Sequence, residues 1–204
     1  MQISSENQTT SGSKLASSIG SHIVGTALGF VGIVWNDSGL TRLCLFDSNR
    51  ASVERRLERL EPGAPEPALR DEPMPAWVAT LVAGIRAYAE GEEIDFSGVP
   101  VDLTDVDDFR RAIYDAARAL AFGETTTYGE LARRAGHPGL PRETGQALGS
   151  NPVPLVIPCH RILAAGGKIG GFSAPGGAAA KERMLALEGV KLGPSPSPQQ
   201  AFSF

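Results

Sequence analysis

Between residues 21 and 103 the apolar positions follow first a strand rhythm and then a helical one. His22 to Phe46 is dense in β-branched and aromatic residues and is broken by the turn formers Asn36-Asp37-Ser38-Gly39, so two or three β-strands are expected there. Cys44 falls in the last of these apolar runs, between Leu43 and Leu45, and reads as a small core hydrophobe. Leucine and charge spacing predicts a helix over Ser52 to Leu60. A Pro/Glu-rich loop follows from Pro62 to Pro75, then a second helix over Ala76 to Glu90. A strand near Ile94 to Leu103 is expected to close the unit. This half reads as an α/β domain, a small antiparallel sheet with helices.

From residue 104 to 191 the pattern turns mainly helical. Asp107 to Ala121 is one predicted helix. Thr125, Thr126 and Thr127 offer caps for a second over Tyr128 to Ala135, which Gly136 is placed to stop. After a Gly/Pro-rich turn, Pro141 suits the first turn of a short helix running from Arg142 to about Gly149. Two short helices joined by such a turn form a helix-turn-helix candidate. Residues 178–189 predict a last helix, ended by Gly189. Residues 1–20 and 192–204 read as tails without fixed structure.

Composition narrows the function class. With 204 residues, 42% of them hydrophobic and 21% charged, the chain is neither fibrous nor wholly disordered. It is long enough to bury a core without staples. No apolar run approaches the roughly 18 residues of a membrane-spanning helix, and the polar N-terminus has no signal-peptide pattern, so no membrane partner is expected. Two cysteines and three scattered histidines are too few for a structural zinc site, and a reducing cytoplasm with free thiols is the simplest placement. The net charge of -4 argues against a strongly basic nucleic-acid binder. The acidity is uneven, however. Residues 1–103 carry 8 Lys+Arg against 14 Asp+Glu, and the remainder 11 against 9, which directs any anionic partner to the second half.

The chemistry concentrates in Asn151-Pro-Val-Pro-Leu-Val-Ile-Pro-Cys159-His160-Arg161-Ile162. Three prolines and an apolar run bring a cysteine to the end of a rigid, extended segment, followed at once by an imidazole and a guanidinium. A thiol with a reference pKa of about 8.5 is only a few per cent ionised at neutral pH and needs a base or a cation. His160 is the nearest base in sequence. On an extended backbone the two side chains would point apart, so contact requires a turn or a bridging water. The base needs an orienting acceptor in turn. On the last helix Lys181, Met184/Leu185 and Glu188 share a face, and Glu188 stands where the helix dipole disfavours a carboxylate, so it needs a partner. His160 can be that partner. Taken singly, Arg161 reads as a structural ion-pair or cap residue, Lys181 as a surface lysine and Asn151 as a turn former.

Ile157-Pro158-Cys159-His160-Arg161-Ile162 is similar to the active-site signature of the O6-alkylguanine-DNA alkyltransferases, the methylated-DNA–protein-cysteine methyltransferases. The resemblance runs from Phe109 through Gly123-Glu124-Thr125, Thr127-Tyr128, Leu131-Ala132, Arg142, Gly145 and Asn151-Pro152 to Gly176-Gly177, Lys181, Leu185 and Glu188-Gly189, roughly 80 residues in unbroken order. It implies a winged-helix-like helix-turn-helix in the second domain. It implies Cys159 as alkyl acceptor, activated by His160 through a water, with Glu188 behind it. Asn151 would brace the turn that presents the cysteine, and Tyr128 would donate to the departing guanine. Arg142 would fill the gap left by the extruded base, with Gly145, Gln146, Ala147 and Thr127 also at the DNA. The pocket would include Ile162 and Pro154, with Phe172, Ser173 and Lys181 as its lid.

The implied partner is double-stranded DNA carrying O6-alkylguanine, bound in the minor groove with little sequence preference by a monomer. The thioether product is irreversible, so one molecule repairs one base and no cofactor is required. Glu143 and Thr144 depart from the small apolar residues that many relatives carry after the arginine. Three alternatives stay open: a lesion-binding alkyltransferase-like protein without transfer, a helix-turn-helix transcription factor, and a transferase for a small alkylated metabolite. The presence of Cys159 weighs against the first two, while Glu143 motivates the third.

Overall fold

A computed structural model describes residues 19–62 and 74–191. Residues 1–18 and 192–204 of the expected tails and most of the Pro62 to Pro75 loop lie outside the described residues, whereas Gly20, expected in the first tail, already belongs to a strand. Three strands, β1 (Gly20–Thr26), β2 (Gly29–Asn36) and β3 (Gly39–Asp47), form an antiparallel sheet in the order β1-β2-β3. The β-branched run therefore folds as three strands, with tight turns on either side of β2.

The sheet is covered on both faces because β2 is apolar on both. Val31, Ile33 and Trp35 belong to the main core, whereas Val34 packs with Ile23, Cys44, Val53 and Leu57 under helix α1 (Arg50–Leu60). Asn49 caps α1 by accepting from the Ala51 N–H. Gly32 permits the close approach of that helix: a Cβ there would lie 2.6 Å from Val53 and 2.7 Å from Leu57. Helix α2 (Ala76–Ala89) contributes Val78, Leu81, Ile85 and Tyr88 to the main core.

The strand expected over Ile94 to Leu103 does not form. Asp95 folds the chain back onto the Ser97 N–H, and Pro100 has no N–H to offer a ladder. One parallel bridge remains, Val101 beside Leu40, held by Leu40 N to Pro100 O at 2.9 Å and Asp102 N to Leu40 O at 3.0 Å.

Helix α3 (Asp108–Arg118), capped by Asp107, ends three residues before the expected Ala121. The groups that would continue it are engaged elsewhere: the Leu120 carbonyl accepts from Arg161, and the Ala121 N–H donates to Glu124. Thr126–Thr127 (β4) pairs in parallel with Ile162–Leu163 (β5). This two-residue ladder is the only sheet among the described residues of the second half. Thr127 caps α4 (Tyr128–Arg134), and Gly136 in the left-handed region (φ 83°) ends its run. Helix α5 (Pro141–Gly149) packs on α3 and α4, and α6 (Gly177–Leu187) closes the fold. One apolar core runs from the sheet through Tyr88, Ile113 and Tyr114 to Cys159 and Met184. Among the described residues no helix is long and apolar enough to cross a membrane.

Candidate active site

The segment Asn151 to Ile162 is a series of tight turns rather than an extended arm. The Asn151 side chain donates to the Ile157 carbonyl at 2.8 Å and accepts from the Val153 N–H at 3.0 Å, closing the loop through its amide. Leu155, fully buried, holds a left-handed φ of 81°, a conformation that costs on the order of 1–3 kcal/mol and persists only where packing imposes it. Pro158 (φ -80°, ψ 65°) sits at the centre of an inverse γ-turn, with the Cys159 N–H donating to the Ile157 carbonyl at 2.8 Å. Its fixed ring suits that geometry. Cys159–Arg161 then winds one 3-10 turn. The expected extended presentation of Cys159 is therefore corrected. The turn sets Cys159 at the cleft and brings the next two side chains, His160 and Arg161, onto Glu188.

Cys159 faces a cavity of about 500 Å³ lined by Tyr128, Pro141, Gly145, Leu148, Phe172 and Ser173. A second cavity, about 800 Å³, shares Cys159, Phe172 and Ser173 and adds Asn151, Pro154 and Pro175. The cysteine keeps 8% of its surface exposed while His160 keeps none, so the sulfur reaches the cleft and the imidazole lies behind it. Burial pushes the Cys159 thiol up, opposed by the Asn151 side chain and the Lys181 charge.

Glu188, the C-cap of α6 just before Gly189 (φ 72°), gathers five donors on one carboxylate. Oε1 meets His160 Nε2 at 2.7 Å, the Arg161 Nη2 at 3.0 Å and the Tyr88 hydroxyl at 3.0 Å. Oε2 accepts from Arg161 Nε at 2.8 Å and from the Gly123 N–H at 3.0 Å. Gly123 can come this close because it has no side chain: at its φ of 72° a Cβ would stand 2.9 Å from the Glu188 carbonyl. Burial pushes the Glu188 carboxyl up, but hydrogen bonds from His160 and Arg161, with the Arg161 charge, outweigh it and hold the group at about 2. Burial lowers His160, against the pull of Glu188, so the imidazole is neutral. Its Nε2, facing a carboxylate, carries the proton, and Nδ1 carries the lone pair. Nδ1 is buried and meets no protein partner. This arrangement can accept one proton at Nδ1, favoured by the Glu188 carboxylate on the far side of the ring and opposed by the Arg161 and Lys181 charges.

Lys181 is fully buried, not a surface residue or part of a lid. Its Nζ donates to the Ile162 carbonyl and lies 5.8 Å from the centre of the Tyr128 ring. Burial brings its pKa down to about 8, with the Cys159 charge opposing. Tyr128 is half-buried in the cleft wall, its hydroxyl 3.4 Å from the Gly171 carbonyl. Arg142 and Gln146 are exposed on α5, and Gly145 lines the cleft. Ala147 is only 2% exposed and packs in the core, with its carbonyl accepting from the Tyr114 hydroxyl, so its side chain is no part of a DNA face. Thr144 is likewise buried and bonds the Leu140 carbonyl, leaving Glu143 as the one departure on the exposed surface. Thr127 serves first as the α4 cap. Among the described residues no cluster of His, Cys, Asp and Glu could hold a metal.

Sequence reasoning brought Cys159, His160 and Glu188 together and read Arg161 as an ion-pair residue, which it is. It missed Tyr88 and the Gly123 N–H, the first a hundred residues from Glu188 with no local signal. The comparisons with known proteins agree with the geometry. A family profile described as 6-O-methylguanine DNA methyltransferase, DNA binding domain, matches residues 108–190. The methylated-DNA–protein-cysteine methyltransferase of Methanothermobacter thermautotrophicus is 34% identical over 162 residues, 79% of this chain and 81% of that one. Its namesake in Haemophilus influenzae is 39% identical over 154 residues, 75% and 83% of the two chains. Among solved structures, Mycobacterium tuberculosis O6-methylguanine methyltransferase superimposes with a TM-score of 0.61 at 30% identity, covering 84% of this chain and 93% of that one. The Mycobacterium tuberculosis OGT complex with DNA gives 0.61 at 30%, covering 82% and 91%.

Proposed function

Because the chain belongs to the methylated-DNA–protein-cysteine methyltransferase family, we propose that it moves an alkyl group from O6-alkylguanine in DNA to Cys159, once per molecule. The carrying observation is the sulfur at the cleft with a neutral, oriented, unpaired imidazole nitrogen behind it. The target atom is out of reach inside a duplex, so the nucleotide is extruded through the minor groove at a cost of about a few kcal/mol. Arg142, exposed at the start of α5, fills the stack in its place.

Water carries the thiol proton to His160 Nδ1, and the fixed negative charge of Glu188 supports the imidazolium. The sulfur attacks the alkyl carbon in line. The carbon–oxygen bond breaks as the carbon–sulfur bond forms, and the electron pair stays on the guanine, which receives a hydrogen bond from Tyr128. In net, the proton lost by the sulfur is gained by the base. The residues that do this supply base, cation and donor from the chain itself. The product is a thioether, so the protein is spent, and a compartment that keeps Cys159 reduced suits it.

The test is incubation with a duplex oligonucleotide containing O6-methylguanine, read by intact mass. One methyl per chain is expected, from the duplex far faster than from free O6-methylguanine. Exposed Glu143 beside Arg142 makes the second substrate the informative one: a preference for the free base would identify a small-metabolite transferase, and tight binding without transfer a lesion-binding protein.

A further inference from the structure

Tyr88 lies in the first half of the chain, outside the cleft, yet its hydroxyl ends on the carboxylate that orients His160. It occupies the last turn of α2, fully buried, with its ring edge-on to Phe96 and Phe122 at 6.0 and 6.2 Å. A phenol in such apolar company is tolerated only where its hydroxyl finds an acceptor. The acceptor is Glu188 Oε1 at 3.0 Å, the same oxygen that meets His160 Nε2 at 2.7 Å. The Tyr88 and His160 rings meet edge-on at 6.5 Å. Burial, and then the ionised carboxylate beside it, keep the phenol protonated, so Tyr88 acts as a donor and never as a base.

The other groups in this cluster carry charge or proton traffic. Arg161 is a fixed cation on Glu188, anchored by the Leu120 carbonyl, and Lys181 holds the Ile162 carbonyl near Cys159. His160 feels Glu188, Arg161 and Lys181. Among the side chains on Glu188, only Tyr88 neither carries charge nor takes up the proton. A donor on Oε1 also draws off electron density that would otherwise face the imidazole.

We infer that Tyr88 is a positioning residue of the relay: its hydroxyl on Glu188 restrains the basicity of that carboxylate and so sets how strongly His160 holds the proton taken from Cys159. The inference rests on the alkyl-transfer reading above. It gives the sheet-bearing half of the chain a hand in the chemistry of the other half.

The experiment compares the wild-type chain with Tyr88→Phe by two readouts, the NMR titration of His160 and the pH profile of methyl transfer from the damaged duplex. With one donor fewer, Glu188 supports the imidazolium more strongly. The His160 midpoint and the acid limb of the rate should therefore rise together, by about half a pH unit or more. An unmoved midpoint and limb overturn the inference. In a Glu188→Gln background Tyr88→Phe should add no further shift; a shift that persists there overturns the route through Glu188. Should Tyr88→Phe fail to fold, the Tyr88 ring-carbon resonance of the wild-type chain should follow the His160 titration, and a flat response overturns the idea. A wild-type chain that transfers no methyl at any pH condemns the alkyl-transfer reading instead, and the NMR arm still decides Tyr88.

Discussion

The molecule holds two cysteines of nearly equal burial and very different surroundings. Cys44 is 3% exposed and Cys159 is 8% exposed, so burial alone does not distinguish them. Cys44 points into the small cluster of Ile23, Val34, Val53 and Leu57 beneath α1, and burial pushes its thiol up to about 11 against only distant arginines. Cys159 suffers the same desolvation but has the Asn151 amide, the Lys181 ammonium and the His160–Glu188 pair around it. On the proposed reading, the polar groups arranged beside Cys159 are what separate a reactive thiol from an inert one of similar burial.

The comparison breaks most sharply by deletion. Cys159→Ala should abolish transfer while DNA binding survives, whereas Cys44→Ala should leave transfer intact and lower stability by roughly 1 kcal/mol, as a small core truncation does. Transfer assays and denaturant unfolding on both variants check this.

Next in size is Glu188→Gln, which unpairs Arg161 and frees the His160 ring. The transfer rate should drop by about 100-fold. The same residue sets an acid dependence of folding. The folded carboxyl sits at about 2 against an ordinary value of 4.5, so the folded state holds fewer protons between those limits. Its stabilisation, ~3 kcal/mol, is complete above pH 4.5 and is lost as the pH falls towards 2. Unfolding measured across that window should show a shallower slope in Glu188→Gln than in the wild-type chain, where Asp95, Asp102, Glu124 and Glu130 are also held low.

Arg142→Ala sharpens the contrast between finding the base and reacting with it. Transfer from duplex should slow by roughly tenfold or more, with a smaller loss on single-stranded DNA, where no stack has to be opened. Equal losses would remove Arg142 from extrusion.

The smallest effect is expected at Lys181→Met. Without the ammonium the Cys159 thiol ionises less readily, so transfer near neutral pH should fall several-fold and recover as the pH rises. Lys181 itself is held at about 8 in the fold against 10.5 ordinarily, so the unfolded chain binds more protons between those values. Lys181 therefore adds stability as the pH rises from about 8 to 10.5, against the loss contributed by the raised Cys44 and Cys159 thiols, and stability in the variant should fall more steeply with pH over that range than in the wild-type chain.

What was legible in the sequence follows from the range of the forces involved. The helices were visible because caps and apolar spacing are local: Thr127, Gly136, Pro141 and Gly189 all stand where the chain uses them. The strand over Ile94 to Leu103 failed because β-branched composition says nothing of pairing, and Asp95 with Pro100 breaks the ladder. The 3-10 turn at Cys159 was hidden for a similar reason: prolines announce rigidity, but not which turn they impose. Glu188 was legible because a carboxylate on an apolar stripe demands a partner. Tyr88 was not, since a tyrosine among core residues looks like any other until the fold sets its hydroxyl on that carboxylate. Lys181 misled because an isolated lysine is nearly always solvated.

The most direct measurement is peptide mapping of the protein after excess duplex bearing isotopically labelled O6-methylguanine. The label should sit wholly on the peptide containing Cys159, at one per chain, with Cys44 untouched. Label on Cys44, or none on either thiol after prolonged incubation, would contradict the assignment of the reactive sulfur.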